Sequence, residues 1–465
     1  MVYDFDFLRY NLLLMNKIFI KNTLNINLDG IPSKLVEDRV SHTTLSVTTK
    51  HIALVKPRLL HKKGDAVKLG EPLFADKTNP DVTFASPGSG VISHIEYGER
   101  RLIERVIITL ADNEEPIQHK AHTEKEIASI SRDDLISHLL EGGLWYCIKA
   151  LPFRAIANPK DKPSSIILSL SDQEPFQPET GVLFKDQDGL LRLGIDLLQR
   201  LSDNVIIACH DNDDATRHLL ADVVNCVVSG DYPAMDPGVI NYKLKTSQDE
   251  NAAWYIKPQD LIRIVQFLKT GLYPTEIIAV IGGSESGNPI HIRTREGASI
   301  QTLIQNLPNS VRFVAGGVFT GRSVAWEDGL SYGEYAVQML PEGKEPEMLH
   351  FFKPGFERPS YFRAFMSSVL PQRKWALNTS LNGGVRSCIS CSACPDVCPV
   401  DLYPQFLMKS LYDNDIETAL NQGLLDCVEC GLCSHVCPSK IELVDQIRAS
   451  KHQLFKEMTN ENAHI

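Results

Sequence analysis

The sequence has no apolar run of about 18 residues, the least that can cross a bilayer as one helix. It has no long basic tract either. Its 47 Lys and Arg are outnumbered by 58 Asp and Glu, for a net charge of -11. Binding a polyanion calls for a basic face, so nucleic acid is not expected as a partner. No secretory leader is evident. The most apolar early stretch, Phe7-Leu8-Arg9-Tyr10-Asn11-Leu12-Leu13-Leu14-Met15, is broken by Arg9 and Asn11, follows Asp4 and Asp6, and lacks a basic start and a small-residue cleavage site. Met1 and Met15 are both candidate starts; Met15 is preferred, since Met15-Asn-Lys-Ile-Phe-Ile-Lys opens a plausible first strand. Without a span or a leader, the expected compartment is the cytoplasm, where free thiols and oxygen-sensitive centres survive.

Cysteine is the one unevenly used residue. Eight of the 11 cysteines fall in two runs, Cys388-Ile-Ser-Cys391-Ser-Ala-Cys394-Pro-Asp-Val-Cys398-Pro399 and Cys427-Val-Glu-Cys430-Gly-Leu-Cys433-Ser-His-Val-Cys437-Pro438. Each reads C-x2-C-x2-C-x3-C-P. In that spacing three thiolates wrap one cubane, while the fourth serves the neighbouring cluster. The expectation is two [4Fe–4S] clusters, held by Cys388, Cys391, Cys394 and Cys437, and by Cys427, Cys430, Cys433 and Cys398. Structural zinc is the nearest rival, but it usually takes two separated C-x2-C pairs with no third cysteine. Disulfides would need an oxidising compartment. Cys147, Cys209 and Cys226 have no ligand spacing and read as buried small hydrophobes.

The rest of the chain reads as several domains. Residues 1–44 are an N-terminal extension and first strand. Residues 45–112 are short strands with turns at Lys62-Lys-Gly64, Lys68-Leu-Gly70 and Pro87-Gly-Ser-Gly90, like the flattened barrel of biotin- and lipoyl-carrier domains. Lys77 lies near the place of the carrier lysine, but Thr78-Asn-Pro80-Asp lengthens the tip and favours a solvated turn lysine. Residues 113–250 form a Rossmann-like α/β domain. An amphipathic helix over Glu124 to Gly143 leads into it, with a left-handed cap at Gly142-Gly143. Continuous apolar runs at Ser164–Leu170, Asn204–Cys209 and Val223–Val228 then read as strands buried on both faces of a parallel sheet.

Residues 251–353 form a β-grasp (SLBB-like) domain. It opens with a helix from Ala253-Trp254 to Thr270, followed by a hairpin feeding a helix capped at Ser299. The glycines of Gly282-Gly283-Ser-Glu-Ser-Gly287-Asn-Pro289 precede a proline and a strand, so no helix N-terminus is offered to a phosphate. Residues 354–465, beginning with Pro354 to Leu370, form an α-helical iron–sulfur domain. It has two short helices across Leu402 to Leu425 and a closing helix from Ile441 to Phe455.

In this order the motifs resemble the A subunit of the sodium-translocating NADH:quinone reductase, and also the related C subunit of the Rnf ferredoxin:NAD oxidoreductases. The resemblance covers nearly the whole chain. It includes GLW and K-x-LPF between Gly143 and Phe153, and the stretches LFADKTNPDVTFASPGSGVI and ALNTSLNGG lie nearer the reductase protein. The family implies a peripheral electron-transfer subunit on the inner face of the cell inner membrane. Its partners would be integral-membrane and flavin-bearing subunits of the same complex, with membrane contact through them, and quinone would be a candidate substrate of the complex. The alternatives are an Rnf-type subunit, or a cluster-free one that docks and shapes a quinone site.

Two departures matter. Rnf-type relatives hold flavin and NADH on a G-x-G-G-x-G-F-P loop, because only glycine lets the backbone approach phosphates closely. Here the corresponding stretch carries Trp145, Tyr146, Ile148 and Leu151, so neither FMN nor NADH is expected on this chain. The reductase A subunit is usually described as having lost most of these cysteines, whereas this chain has all eight. No acid–base dyad or nucleophile stands out. His435, Lys440 and Arg386 are noted as neighbours that could tune a cluster or offset its charge.

Overall fold

The structure is a computed structural model that describes residues 16–462, apart from 51, 305–309, 344–351, 353, 357–365, 371–373 and 381–383. Met1 and Met15 lie outside the described residues, as does most of Pro354 to Leu370.

At the centre is a seven-stranded sheet. Five parallel strands run in the spatial order Asn16–Phe19, Cys226–Ser229, Val205–His210, Ile166–Ser169 and Trp254–Ile256, and the antiparallel pair Lys149–Ala150 and Ala155–Ile156 closes one edge. Alternate residues of a strand point to opposite faces. Ile166, Leu168, Ile207, Cys209, Val227, Trp254 and Ile256 therefore enter one core, beneath the helices Asp188–Leu201 and Pro258–Thr270. Ile167, Ile206, Ala208, Cys226 and Val228 enter another, shared with the helix Pro237–Leu244 and with Val400, Leu402, Leu407, Leu424 and Ile447 of the C-terminal segment. The unbroken apolar runs thus reflect two buried faces, one of them covered by the domain that carries the cysteine runs. Cys147, Cys209 and Cys226 are free and buried.

Two readings of the helices need correction. The stretch from Glu124 to Gly143 is two helices, Glu124–Ser129 and Arg132–Glu141. Each has its own N-cap, Thr123 in a reciprocal capping box with Glu126 and Ser131 accepting from the Asp134 N–H. Ile130 between them is extended, so the second cap outweighs the continuous helical period. The left-handed cap falls on Gly143, at φ +64°, where a Cβ would sit 2.9 Å from Ala85 of the barrel. The helix expected from Ala253 begins only at Pro258. Proline fixes the first helical turn and pushes the residue before it out of the helical region, so Trp254–Ile256 forms a strand. That strand lies inside the seven-stranded sheet, and the boundary expected between 250 and 251 would cut the α/β unit before its last strand and helix.

The barrel is built from Thr44–Thr48, Ile103–Leu110, Gly90–Tyr97 and Ala66–Val67 in one sheet, and Pro57–Leu59, Pro72–Asp76 and Thr83–Ala85 in another. Lys77 is exposed at the tip, its N–H donating to Lys56 O at 2.8 Å. A six-stranded sheet carries the expected hairpin, Glu276–Gly282 against Ile290–Arg295, with Ala336–Pro341 parallel to the first strand. Ser33–Asp38 pairs parallel to Ile290–Arg295, so the chain start contributes to two sheets. The four-residue helix Ile300–Leu303 is capped by Ser299.

Candidate metal centres

The two cysteine runs fold as near-repeats. In each, the residues two and four places after the first cysteine are left-handed: Ser390 and Ser392 in one, Glu429 and Gly431 in the other. Each run then enters a one-turn helix, Ala393–Asp396 or Leu432–His435, and turns left-handed again three residues after its fourth cysteine, at Asp401 or Lys440. A non-glycine residue in this region costs about 1–2 kcal/mol. The same costly bends recur at matching positions because a loop must curl tightly to aim three thiols inward.

The thiols sort into two sets of four. One small cavity is lined by Cys388, Cys391, Cys394 and Cys437, with Ile389, Gln405, Ile441 and Leu443. The other is lined by Cys398, Cys427, Cys430 and Cys433, with Val400, Leu402, Val428 and Ile447. Each run thus sends its fourth cysteine to the other run's cavity. Among the described residues no three His, Cys, Asp or Glu side chains gather around a single ion position; the thiols ring cavities instead. Four soft sulfur donors in an apolar wall suit a sulfide-bridged iron cluster. When bound, such a cluster carries one electron at a time. The chain's part is to hold it and set its surroundings.

Burial pushes the Cys394 and Cys398 thiols up to about 11. It raises Cys427, Cys430 and Cys433 as well, so cluster binding must displace protons. The first centre lies near the surface, with Cys391 exposed, whereas the second adjoins the sheet through Cys398 and Cys430 in the shared core.

Several contacts around the centres escaped sequence reasoning. Cys394 donates to Gln405 Oε1 at 3.1 Å. The Tyr232 hydroxyl donates to Cys430 O at 2.9 Å, Lys451 Nζ to Cys427 O at 2.9 Å, and Arg154 Nη2 to Val428 O at 2.8 Å. Three donors thus hold one cysteine loop by its carbonyls. Arg154 is itself paired with Asp236 at 2.7 Å. Burial alone would raise the Glu429 carboxyl, but Lys451, Arg154 and Arg448 hold it below its usual range. A signal for Lys451 existed: it continues the buried helix face of Val444 and Ile447 as a lone cation. Of the neighbours noted in the sequence, His435 lines neither cavity. Its ring packs edge-on against Phe319 at 5.1 Å, and burial lowers its pKa to about 4. Arg386 is exposed, its N–H donating to Ser439 O at 2.9 Å, and Lys440 is half-buried at the last left-handed bend.

Comparison with known proteins agrees with this architecture. Residues 18–111 match the NqrA N-terminal barrel-sandwich hybrid domain, 130–273 the NqrA second alpha/beta domain, and 387–441 the 4Fe-4S dicluster domain. The A subunit of the Na(+)-translocating NADH-quinone reductase of Pseudomonas aeruginosa is 31% identical over 405 residues, covering 86% of this chain and 90% of that one. The chain belongs to this A-subunit family. The Vibrio atlanticus and Yersinia pestis A subunits are each 29% identical over the same shares of both chains. A chain of an NAD+-reducing [NiFe]-hydrogenase aligns at 10% identity over 49% of this chain and 52% of that chain, with a TM-score of 0.35, too distant to carry an argument.

In this A-subunit fold, Trp145, Tyr146, Ile148 and Leu151 are buried in the two main cores. They do not fill the adjacent space. A cleft of about 1360 Å³ opens at the carboxyl ends of the parallel strands, bounded by Phe153, Arg154, Asp172, Asp236 and Lys257. These bulky side chains, standing where a phosphate loop would need bare backbone, turn inward to pack, and the cleft beside them stays open. Val428 and Glu429 line both the cleft and the second thiol cavity.

Proposed function

We propose that the chain is the electron-transfer A subunit of a membrane-bound, sodium-translocating NADH:quinone reductase, and that it passes single electrons through two [4Fe–4S] clusters. Cys388, Cys391, Cys394 and Cys437 hold one cluster, and Cys427, Cys430, Cys433 and Cys398 the other. The observation that carries this reading is the crossed sorting of eight thiols into two cavities. The names of the relatives supply NADH, quinone and sodium as the business of the complex. No helix among the described residues is long and apolar enough to cross a membrane; on this reading the chain sits peripherally on the inner face of the inner membrane. Integral-membrane and flavin-bearing subunits would be its partners. Quinone is then a substrate of the complex, and this chain carries neither FMN nor NADH.

The same reading takes the central sheet as Rossmann-like, supported by its five parallel strands, and the six-stranded sheet as β-grasp (SLBB-like), supported by a hairpin beside a parallel strand. A second reading, an Rnf-type subunit fed by ferredoxin, is favoured by the dicluster match at 387–441. Co-purifying partners separate the two.

Anaerobic purification with iron, sulfide and paramagnetic resonance analysis tests the proposal. About eight irons per chain with two signals on reduction are expected. A folded, iron-free chain would end it and leave a docking role.

A further inference from the structure

The two centres have near-identical loops but unlike surroundings. At the position where the first run has exposed Ser390, the second has buried Glu429. Facing it is Lys451, 0% exposed, on the helix Leu443–Asn462. Its Nζ lies 2.8 Å from Glu429 Oε1 and donates to Cys427 O at 2.9 Å and to Pro152 O at 2.8 Å. The ammonium thus touches the carbonyl of a candidate ligand and ties it to the turn between the edge strands Lys149–Ala150 and Ala155–Ile156. Glu429 Oε2 is taken by Arg448 Nε at 3.0 Å.

We propose that Lys451 is the positioning residue of the centre held by Cys398, Cys427, Cys430 and Cys433, and that its charge, opposed by Glu429, sets that centre's reduction potential apart from the other's. A fixed cation in a poorly solvated site favours the electron-richer state of a neighbouring cluster, and an anion disfavours it. Screening by water is weakest where the pair is buried, so the second centre feels it and the surface centre does not.

The inference rests on the two-cluster reading. The full chain is purified anaerobically as wild type, Lys451→Met, Lys451→Arg and Glu429→Gln, assayed for iron, and titrated with reductant under paramagnetic resonance. Lys451→Met should disfavour reduction of one centre about tenfold, about 59 mV for a one-electron couple. Glu429→Gln should move the same centre the opposite way, Lys451→Arg should keep it near wild type, and the other centre should not move in any variant. A merely structural role would not give shifts of opposite sign. Equal movement of both centres, or shifts of one sign in Lys451→Met and Glu429→Gln, would overturn the proposal. Should Lys451→Met lose iron from the second centre, Glu429→Gln decides: a raised potential supports the proposal and an unchanged one ends it. An iron-free wild-type chain would instead end the two-cluster reading itself.

Discussion

Arg263 Nη2 lies 2.9 Å from Glu296 Oε2, and both side chains are 2% exposed. Arg263 comes from the last helix over the central sheet, and Glu296 follows the hairpin of the six-stranded sheet. The hydroxyls of Tyr146 and Tyr273 each donate to this carboxylate at 2.7 Å. Tyr146 is thus a post in the joint between two domains. Removing one partner of a buried ion pair strands the other's charge, at a cost of about 3–5 kcal/mol. Arg263→Met should destabilise by about that much, and Tyr146→Phe, which removes the bond to Glu296 and the one accepted from Arg263 Nη1 at 2.9 Å, by less, roughly 1–3 kcal/mol. Denaturant unfolding of both variants checks the order.

Gly283 is held at φ +95°, and a Cβ there would lie 2.4 Å from Met339 O. Gly283 thus serves close backbone approach, whereas Gly287 in the same stretch stands in open space. Gly283→Ala should cost more than the roughly 1–3 kcal/mol of a strained backbone alone. Gly287→Ala, at φ +66° with nothing within 4 Å of the new Cβ, should cost only about 1–2 kcal/mol. Equal melting temperatures for the two variants would refute this.

If the thiols are shared crosswise, Cys398→Ser should erase the same paramagnetic signal as Cys430→Ser, and Cys437→Ser the same one as Cys388→Ser. Each single change should remove about four irons. Pairing within runs would give the opposite grouping.

His291 is fully buried, its Nδ1 2.7 Å from Ser33 O and its Nε2 accepting from the Glu179 N–H at 3.0 Å. Burial depresses its pKa below the usual 6.5. The unfolded chain therefore takes up a proton near pH 6.5 that the folded chain refuses. The contribution of His291 to stability is full above that pH and shrinks as the pH falls toward the depressed folded value. Melting temperature should fall between pH 7 and pH 5.5, and by less in His291→Gln. A parallel pH profile in the variant would rule this out.

Residues 144–157 contain no glycine, and the two of them that line the cleft, Phe153 and Arg154, offer it side chains rather than bare backbone. Purified chain should release no flavin on denaturation and should not bleach NADH. Stoichiometric flavin fluorescence would overturn that expectation.

Much of this was legible in the chain. Periodicity located the buried strands at 166–169, 205–210 and 226–229, and the Ser299 cap and the short helices near Leu407 and Ala419 followed from local signals. The cysteine spacing implied crossed sets, and the cavities gather the same residues. What escaped was non-local. Nothing in Asn16–Phe19 says that it will pair with Cys226–Ser229, and nothing in Arg154 points to Val428 O. The short strand at Trp254 was hidden by the helix that follows it. The bulk of Trp145 and Tyr146 was evident, but the direction they face is decided by packing with Trp254 and Phe84.

On the underside of the central sheet, Ile167, Ile206 and Ala208 share their core with the helix Pro237–Leu244 and with Val400, Leu407 and Leu424 of the tail. Cutting the chain before Cys388 would bare this surface to water. The tail is therefore not a detachable cartridge plugged into a finished body. If the tail holds the proposed clusters, their loss to oxygen would be felt as a loosened foundation, linking the state of the centres to the lifetime of the whole protein.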